Sequence, residues 1–299
     1  EGAKVVLCAR SERTLQEIAD RIRGEGGTAI AVAADVAVRS ELEEVAQAAI
    51  EKFGRIDTWV NDAGVSIYGR LDEVTEEDSR RLFDTNFWGV VNGSLVALPH
   101  LLKQGGALIN VGSEVSDAVV ALQGMYSASK HAVKGFTDAL RVELEDMDHA
   151  PISITLIQPT AVNTPFPQHA RNYMPKEPKL PTPQIDPTTV AEAIRHSFQH
   201  VRRPLMVAIT GMWKAGTKGL SMALSVIRAC PKSWPTRPVL TVQVLPTMSR
   251  ARMAVCTTNA GASGVMAIAV SGRATTSAAP STSSPKSQRG VPSGTQGPR

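Results

Sequence analysis

Short apolar runs alternate with longer stretches of helical periodicity along this chain, and this alternation constrains its fold more than any other feature. Continuous apolar runs are typical of strands that are buried on both faces of a sheet. Such runs cover residues 5–9 and 29–34, and the largely apolar stretches 56–60 and 107–111 are expected to form two further strands. The stretch after Ser11 carries Leu15 and Ile18 at helical spacing. Strands that alternate with helices predict an α/β fold, with a doubly wound parallel sheet covered by helices on both faces.

Capping patterns predict where three of the helices begin. Ser11 is placed to cap the first helix. Ser40 and Glu43 have the spacing of a capping box, which predicts a second helix start. Thr75 is expected to open a long helix that also carries Asn86.

A tyrosine, a lysine and a serine form the pattern that points most directly to chemistry. Tyr126 and Lys130 are four residues apart, so on a helix they share one face. The Lys130 ammonium is expected to stabilise a phenolate and to lower the pKa of Tyr126 from its usual value of ~10. A tyrosine tuned in this way can exchange a proton with an alcohol or a ketone. Ser113 follows the apolar run 107–111, where its hydroxyl can hold a carbonyl oxygen.

The order of motifs over residues 1–167 resembles that of the classical short-chain dehydrogenase/reductase family. The matching segments are Ala3 to Arg10 as the second strand, Asp35-Val36, Asn61-Asp62-Ala63-Gly64, Asn86, the group Ser113, Tyr126 and Lys130, and Pro159 to Thr164. Weaker similarity extends to about residue 203. The resemblance implies a Rossmann-like sheet that binds a nicotinamide dinucleotide.

The resemblance also implies roles for individual residues. The implied catalytic residues are Asn86, Ser113, Tyr126 and Lys130. The implied cofactor-binding residues are Arg10, Ser11, Asp35, Val36, Asn61, Ala63, Gly64, Tyr126, Lys130, Pro159 and Thr164. In this scheme Ser113 holds the substrate oxygen, Tyr126 transfers the proton, and Lys130 bonds the nicotinamide ribose. Asn86 would bond backbone groups and order a water near Lys130.

Cofactor choice in such proteins depends on the end of the second strand, where an acidic residue pairs with the ribose hydroxyls and repels a 2′-phosphate. This chain has Arg10 and Ser11 there and no acidic residue. Because the planar donors of Arg10 suit a phosphate, the sequence favours NADP(H) over NAD(H). Asp35 is expected to bond the adenine amino group, and Val36 to pack against the adenine ring.

Three positions depart from the family pattern. No Gly-x-x-x-Gly-x-Gly turn of the kind that cradles a pyrophosphate precedes the run 5–9. This predicts a sheet lacking the first strand and the Gly-rich loop, with a gap between two other strands, and it indicates an incomplete N-terminus. Asp62 stands where the family usually has asparagine, and Thr160 where it usually has glycine. A β-branched residue tolerates positive φ poorly, so Thr160 is expected either to shift its loop or to need no positive φ.

Charge divides the chain into two unlike parts. All 28 acidic residues lie at or before Glu192, whereas residues 193–299 carry 14 lysines and arginines. The last part is rich in Ser, Thr, Pro and Gly, a composition typical of disorder. The sequence therefore predicts a Rossmann-type domain over 1–210, a C-terminal extension helix over 211–230, and a disordered, low-complexity basic tail over 231–299. A GC-rich gene read out of frame would give a tail of the same composition.

Cysteine spacing and hydropathy argue against several other classes of protein. Cys8, Cys230 and Cys256 fit no Cys-x-x-Cys pattern, so no metal site is expected. No uninterrupted apolar run reaches the ~18 residues of a membrane span. The basic residues of the tail are scattered and lack interleaved aromatic residues, so nucleic-acid binding is not expected. A reducing, cytoplasmic location is the default expectation.

The sequence thus predicts an NADP(H)-dependent oxidoreductase that interconverts a carbonyl and a secondary alcohol. The stretch 166–187 looks like a lid loop, and its Phe166, Tyr173 and Met174 indicate a hydrophobic small-molecule substrate. By resemblance, the chain is expected to form homo-oligomers through the helices that carry Asn86 and Tyr126. The alternative is a non-catalytic protein or a gene fragment that cannot bind cofactor without the Gly-rich loop.

Overall fold

The computed structural model describes residues 2–199 and three short strands at 207–209, 240–241 and 266–270. In this part of the chain strands and helices alternate, as the apolar pattern predicts. The strands are β1 (Lys4–Ala9), β2 (Thr28–Ala33), β3 (Thr58–Asn61), β4 (Ile67–Tyr68), β5 (Gly106–Val111), β6 (Ile152–Pro159), β7 (Arg171–Asn172), β8 (Val207–Ile209), β9 (Leu240–Thr241) and β10 (Met266–Val270). The α-helices are α1 (Glu12–Gly24), α2 (Arg39–Phe53), α3 (Glu76–Phe83), α4 (Gly89–Gln104), α5 (Gly124–Arg141) and α6 (Pro187–Gln199).

Helices cover both faces of the main sheet, which explains the continuous apolar runs. Every residue of β5 and β6 is buried. Leu108 of β5 packs into a core cluster with α2, α4 and the end of α5. Its neighbour Ile109 points the other way and packs against Val190 and Ile194 of α6. Since successive strand residues face opposite sides, most positions of a strand between two helix layers are apolar.

The main sheet has the order β2-β1-β10-β3-β5-β6-β8-β9, the pattern of a Rossmann-like α/β fold. Its strand pairs are parallel except those of β10, which runs antiparallel to both β1 and β3. The predicted mid-sheet gap therefore does not remain open, because β10 hydrogen-bonds to both of its edges. The two other described segments after residue 199, β8 and β9, extend the opposite side of the sheet.

The predicted tail and extension helix fall largely outside the described residues. The helix expected over 211–230 lies entirely outside them, as does most of the tail expected to be disordered over 231–299. Inside that tail the structure places two strands, β9 and β10, in the sheet. The residues of β10, Met266 to Val270, form a continuous apolar run, which is typical of a buried strand.

Two of the three predicted helix starts are confirmed. Thr75 accepts a hydrogen bond from a backbone N–H of α3 at 3.2 Å. Ser11 precedes α1, although its hydroxyl pairs with the Thr14 hydroxyl at 2.9 Å instead of capping the backbone. The Ser40 capping box is wrong, because α2 already begins after Val38 without a side-chain cap. The Asp35 carboxylate accepts a hydrogen bond from the Ala37 N–H at 3.0 Å and so stabilises the turn that precedes α2. Helix α2 therefore starts before Ser40.

Candidate active site

The predicted site residues follow the carboxyl ends of three adjacent parallel strands, β3, β5 and β6. This is the edge at which ligands bind in open α/β sheets. Asn61 closes β3, Ser113 follows β5 by two residues, and Thr160 follows β6 directly. Helix α5 brings Tyr126 and Lys130 to this edge. The sheet order thus brings together residues that lie up to a hundred positions apart in sequence.

Ser113 lies beside Tyr126, close enough to act on the pKa of its phenol. The Ser113 hydroxyl accepts from the Val115 N–H at 3.3 Å and caps the short 3-10 turn that follows β5. Gln158 donates to the Ser113 carbonyl at 3.4 Å and so fixes the backbone on the other side. The Phe166 ring lies over Tyr126 with 5.9 Å between the ring centroids.

Lys130 is buried behind Tyr126. Its Nζ donates to the Val111 carbonyl at 2.9 Å and lies 5.9 Å from the centroid of the Tyr126 ring. Burial lowers the pKa of Lys130 to about 8, although the Asp62 carboxylate opposes this shift. The predicted i, i+4 arrangement is therefore present.

The expected lowering of the Tyr126 pKa is wrong. Burial is the largest cause and raises the pKa of Tyr126 well above its ordinary value, and the hydrogen bond with Ser113 opposes the rise only in part. The Asp62 carboxylate adds to the rise. The Lys130 ammonium donates to the Val111 carbonyl, and its charge does not outweigh the desolvation of the phenolate.

Asn86 lies in a π-helical turn, Asp84–Trp88, that joins α3 to α4 into the long helix predicted from Thr75. Its amide oxygen accepts from the Val65 N–H at 2.7 Å, and its nitrogen donates to the Val65 carbonyl at 2.9 Å and to the Ser129 hydroxyl at 3.1 Å. The predicted bonding of Asn86 to backbone groups is thus confirmed. π-helical turns are frequent at functional sites, and this one places the Asn86 side chain against Ser129 of α5.

The Asp62 carboxylate also lies at this site. In the sequence, Asp62 stood out only because the family usually has asparagine at this position. It is partly buried, and burial raises the pKa of its carboxyl to about 6 although Lys130 lowers it. Next to it, a Cβ placed on Gly64 would lie 3.6 Å from the Asn86 amide oxygen and 3.7 Å from the Lys130 Nζ. Asp62, Asn86, Tyr126 and Lys130 therefore surround this turn.

The Asn61 side chain has a structural role that the sequence did not predict. It accepts from the Trp59 indole N–H at 2.8 Å and donates to Asn110 at 2.8 Å and to Ser94 at 3.1 Å. This side chain is buried in the core, and the backbone of Asn61 leads into Ala63 and Gly64 at the carboxyl end of β3. A buried amide costs stability unless it is fully bonded, which explains the network around Asn61.

The expected nucleotide-binding residues lie at the β1 and β2 end of the same edge. Arg10 is exposed directly after β1, and Ser11 opens α1. Asp35 follows β2, and one of its carboxylate oxygens accepts from the Ala37 N–H. Val36 is buried against the helix turn at Gly89. The donor set at the end of β1 therefore carries a cation and no carboxylate, which suits a phosphate.

Hydrogen bonds from its own side chains hold the backbone of the segment after β6 in place. Pro159 ends the strand, and the Thr164 hydroxyl accepts from the Phe166 N–H at 3.4 Å. Thr160 has no positive φ, so the second of its two expected outcomes is the correct one. Its buried hydroxyl has no hydrogen-bond partner in the described part of the chain. An unpaired polar atom at the carboxyl edge is compatible with a bound polar ligand there.

Several residues near the site carry no signal in the sequence. Ser129 bonds Asn86, and Ser66, Tyr68 and Gln123 form a polar group beside Tyr126. Each contact joins residues that are more than 40 positions apart, so spacing alone cannot reveal it. The Tyr173 hydroxyl, expected at a substrate pocket, instead bonds the Asp78 carboxylate at 2.6 Å.

Among the helices of the described residues, none combines the length and apolar character that a membrane crossing requires.

Comparison with known proteins gives the chain a family. A family model described as short chain dehydrogenase matches residues 1–174. The uncharacterized oxidoreductase YxnA of Bacillus subtilis is 44% identical over 210 residues, which cover 69% of this chain and 59% of that protein. The 11-beta-hydroxysteroid dehydrogenase-like 4A of Arabidopsis thaliana is 37% identical over 160 residues, which cover 53% of this chain and 52% of that protein. The chain thus spans less than two thirds of either relative.

Solved structures of the same kind superpose on the described fold. An alcohol dehydrogenase from the archaeon Thermococcus sibiricus, complexed with 5-hydroxy-NADP, matches with a TM-score of 0.60 and 25% identity over 71% of this chain and 88% of that one. A short chain dehydrogenase/reductase from Burkholderia phymatum, in complex with NAD, matches with a TM-score of 0.54 and 26% identity over 67% and 72%. Since the family model spans more than half of the 299 residues, the chain belongs to the short-chain dehydrogenase family.

Proposed function

We propose that this chain interconverts a carbonyl and a secondary alcohol with Tyr126 as the acid and base, using NADP(H). The observation that carries the proposal is the placement of Ser113, after β5, beside Tyr126 of α5 at the carboxyl edge of the sheet, with Lys130 buried behind the Tyr126 ring. Two hydroxyls at the same edge can both contact a single substrate oxygen. When bound, the reduced nicotinamide supplies the hydride.

Tyr126 acts as the proton donor when a carbonyl is reduced. Because its pKa is raised, the phenol stays protonated near neutral pH and has a proton to give. Ser113 holds the substrate oxygen beside it. As negative charge develops on that oxygen, the transfer of the phenolic proton neutralises the charge within a site of low polarity.

Lys130 and Asn86 support this proton transfer. With a pKa of about 8, Lys130 is mostly protonated at pH 7 and stabilises the phenolate that remains after the transfer. Its ammonium has three donors, of which one is bonded to Val111, so donors remain for a ribose. Asn86 positions α5 through Ser129 and the turn at Gly64 through Val65.

The residues at the end of β1 fit the phosphorylated cofactor better than the unphosphorylated one. The exposed guanidinium of Arg10 carries planar donors that suit a 2′-phosphate, and Ser11 adds a hydroxyl at the start of α1. The relative from Thermococcus sibiricus was solved with an NADP derivative, whereas that from Burkholderia phymatum was solved with NAD. The preference for NADP(H) therefore rests on this chain's own residues.

One observation favours a non-catalytic protein instead. The strand between β1 and β3 is antiparallel in the described part of the chain, so the sheet has no strand there that leads into a helix at the carboxyl edge. In the family this connection supplies backbone N–H groups to the pyrophosphate. A measurement of cofactor binding distinguishes the oxidoreductase from the non-catalytic protein, since only the oxidoreductase requires a bound cofactor.

Fluorescence titration of the purified chain with NADPH and with NADH is the first test. We expect NADPH to bind more tightly, and Arg10→Ala to weaken NADPH binding by roughly 10- to 100-fold while leaving NADH binding unchanged. Failure to bind either nucleotide would support the non-catalytic alternative.

Substitution of the proposed acid tests the chemistry. Tyr126→Phe removes the proton donor and keeps the ring, so we expect turnover in a screen of ketones and secondary alcohols to fall by about 10²–10⁴-fold or more. NADPH binding by the same variant should persist. Turnover that survives the substitution would overturn the assignment of Tyr126.

A further inference from the structure

The loop that carries Ser113 is joined to α5 on both sides of this serine. Two residues before Ser113, the Val111 carbonyl accepts from the Lys130 ammonium at 2.9 Å. Four residues after Ser113, the Asp117 carboxylate lies 3.7 Å from the Lys134 ammonium. Lys130 and Lys134 are four residues apart and so share one face of α5. Both flanks of the serine are therefore held to the helix that carries the proposed acid.

Asp117 also joins this loop to strand β6. Its second carboxylate oxygen accepts from the Gln158 amide nitrogen at 2.6 Å. The same nitrogen donates to the Ser113 carbonyl at 3.4 Å. A side-chain amide has two N–H donors, so Gln158 can make both bonds at once. Because Gln158 is only 3% exposed, Asp117 binds a buried donor that in turn holds the Ser113 backbone.

The orientation of the Ser113 hydroxyl depends on the turn that Asp117 closes. The Asp117 N–H donates to the Glu114 carbonyl at 3.3 Å, and the Ser116 N–H donates to the Ser113 carbonyl at 2.9 Å. The Ser113 N–H in turn donates to the Ser116 hydroxyl at 3.2 Å. The Ser113 hydroxyl accepts from the Val115 N–H within the same turn. A displacement of the Asp117 end of this turn should therefore shift the serine hydroxyl.

We propose that Asp117 is a positioning residue for the proton transfer and that it acts by fixing the Ser113 hydroxyl relative to Tyr126. This inference rests on the proposed function. The two carboxylate oxygens of Asp117 hold Gln158 of β6 and Lys134 of α5. Asp117 therefore ties together the strand, the loop and the helix that meet at the site. It contacts neither substrate nor cofactor in this scheme and acts only through the serine.

A second carboxylate on the same lysine distinguishes positioning from general support of α5. The Lys134 ammonium also donates to the Asp138 carboxylate at 2.9 Å, and Arg141 donates to Asp138 at 2.8 Å. Both of these partners lie in α5. The side chains of Asp117 and Asp138 are 35% and 33% exposed. Asp138 is thus a matched control, because its loss deprives the same lysine of a partner without touching the contacts of the Ser113 turn described above.

Reduction of trifluoroacetophenone, an activated aromatic ketone, with NADPH tests the inference. Asp117→Ala removes both carboxylate contacts, and we expect kcat to fall by about 10- to 100-fold, because a misplacement of ~1 Å at a reacting group can cost that much. The KM for NADPH should not change, since the residues after β1 and β2 are untouched. Asp117→Asn should recover most of the lost kcat, because the amide oxygen still accepts from Gln158. Asp138→Ala should leave kcat unchanged.

Two further measurements support the test. Gln158→Met keeps the length of the side chain and removes its donors, so it should lower kcat as Asp117→Ala does, even if the latter does not fold. Hydrogen exchange of a peptide covering residues 112–120 gives a readout without turnover. Its amides should exchange at least ~10-fold faster in Asp117→Ala than in the wild type, whereas Asp138→Ala should match the wild type.

The outcomes separate the inference from the proposed function. Wild-type turnover with kcat unchanged in both Asp117→Ala and Gln158→Met would overturn the inference alone. An equal loss of kcat in Asp117→Ala and Asp138→Ala would also overturn it, because such a loss indicates general support of α5. No reduction of any carbonyl by the wild type would overturn the proposed function and the inference with it.

Discussion

The carboxylate of Asp62 makes a pH-dependent contribution to stability that the substitution Asp62→Asn isolates. Burial raises the pKa of this carboxyl from 3.8 to about 6. One pKa unit corresponds to about 1.4 kcal/mol, so ionising Asp62 lowers the free energy of unfolding by about 3 kcal/mol. Because the folded pKa lies above the unfolded one, the proton's stabilising effect is complete below pH 3.8 and is lost as the pH rises through about 6.

Asparagine has nearly the same shape as aspartate and does not titrate. We therefore expect the free energy of unfolding of Asp62→Asn, relative to the wild type, to rise by roughly 2–3 kcal/mol between about pH 4 and pH 7. Urea denaturation at several pH values in this range measures the difference. The range stops at pH 7 because the variant's Lys130, with a pKa of about 8 in the wild type, loses the carboxylate that raises it.

Asp72→Asn is the matched control for this experiment. The Asp72 carboxylate is exposed and pairs with Arg70 at 3.1 Å on the surface. Exposed ion pairs are worth about 0–1 kcal/mol, so the control's stability should follow the wild type within that range at every pH. If Asp62→Asn and the wild type also gave parallel curves, the carboxylate would not be buried beside Lys130, and the description of this corner of the site would be refuted.

Three further predictions concern the core. Asn61→Ala removes the partners of Trp59 and Asn110 and should lower the free energy of unfolding by roughly 3 kcal/mol, measured by urea denaturation. Gly93→Ala should destabilise by about 1–3 kcal/mol in the same assay, because its Cβ would lie 2.1 Å from the Asn61 amide oxygen. Burial raises the pKa of the Cys8 thiol to about 12, so peptide mapping should find it unlabelled by an aromatic disulfide reagent until the protein unfolds.

Local patterns in the sequence were enough to predict the strand and helix alternation and the core of the site. Tyr126 and Lys130 share a face because the spacing of four is fixed by helix geometry, and α5 contains both. The position of Ser113 after β5 could be predicted because a largely apolar run ends just before it. These predictions depend on short stretches of chain, where elementary periodicity decides the outcome.

Contacts between distant segments could not be predicted in the same way. The bonds from Asn86 to Ser129 and from Gln123 to Ser66 join residues whose separation in sequence carries no geometric signal. The pKa of Tyr126 depends on how far the folded protein removes the phenol from water, which spacing does not reveal. The neighbours of this tyrosine were predicted correctly from the sequence, but the direction of the shift in its pKa was not.

The position of β10 has a consequence for how the chain acquires its fold during synthesis. The pair β2-β1 and the group that begins with β3 meet in the sheet only through β10. Met266 leaves the ribosome about 200 residues after Asn61, an interval of roughly 10–40 s at ordinary rates of synthesis. Throughout that time the facing edges of β1 and β3 have no partner from β10 and can pair with other chains. Nascent chains of this protein should therefore depend on chaperones until residues 266–270 have emerged.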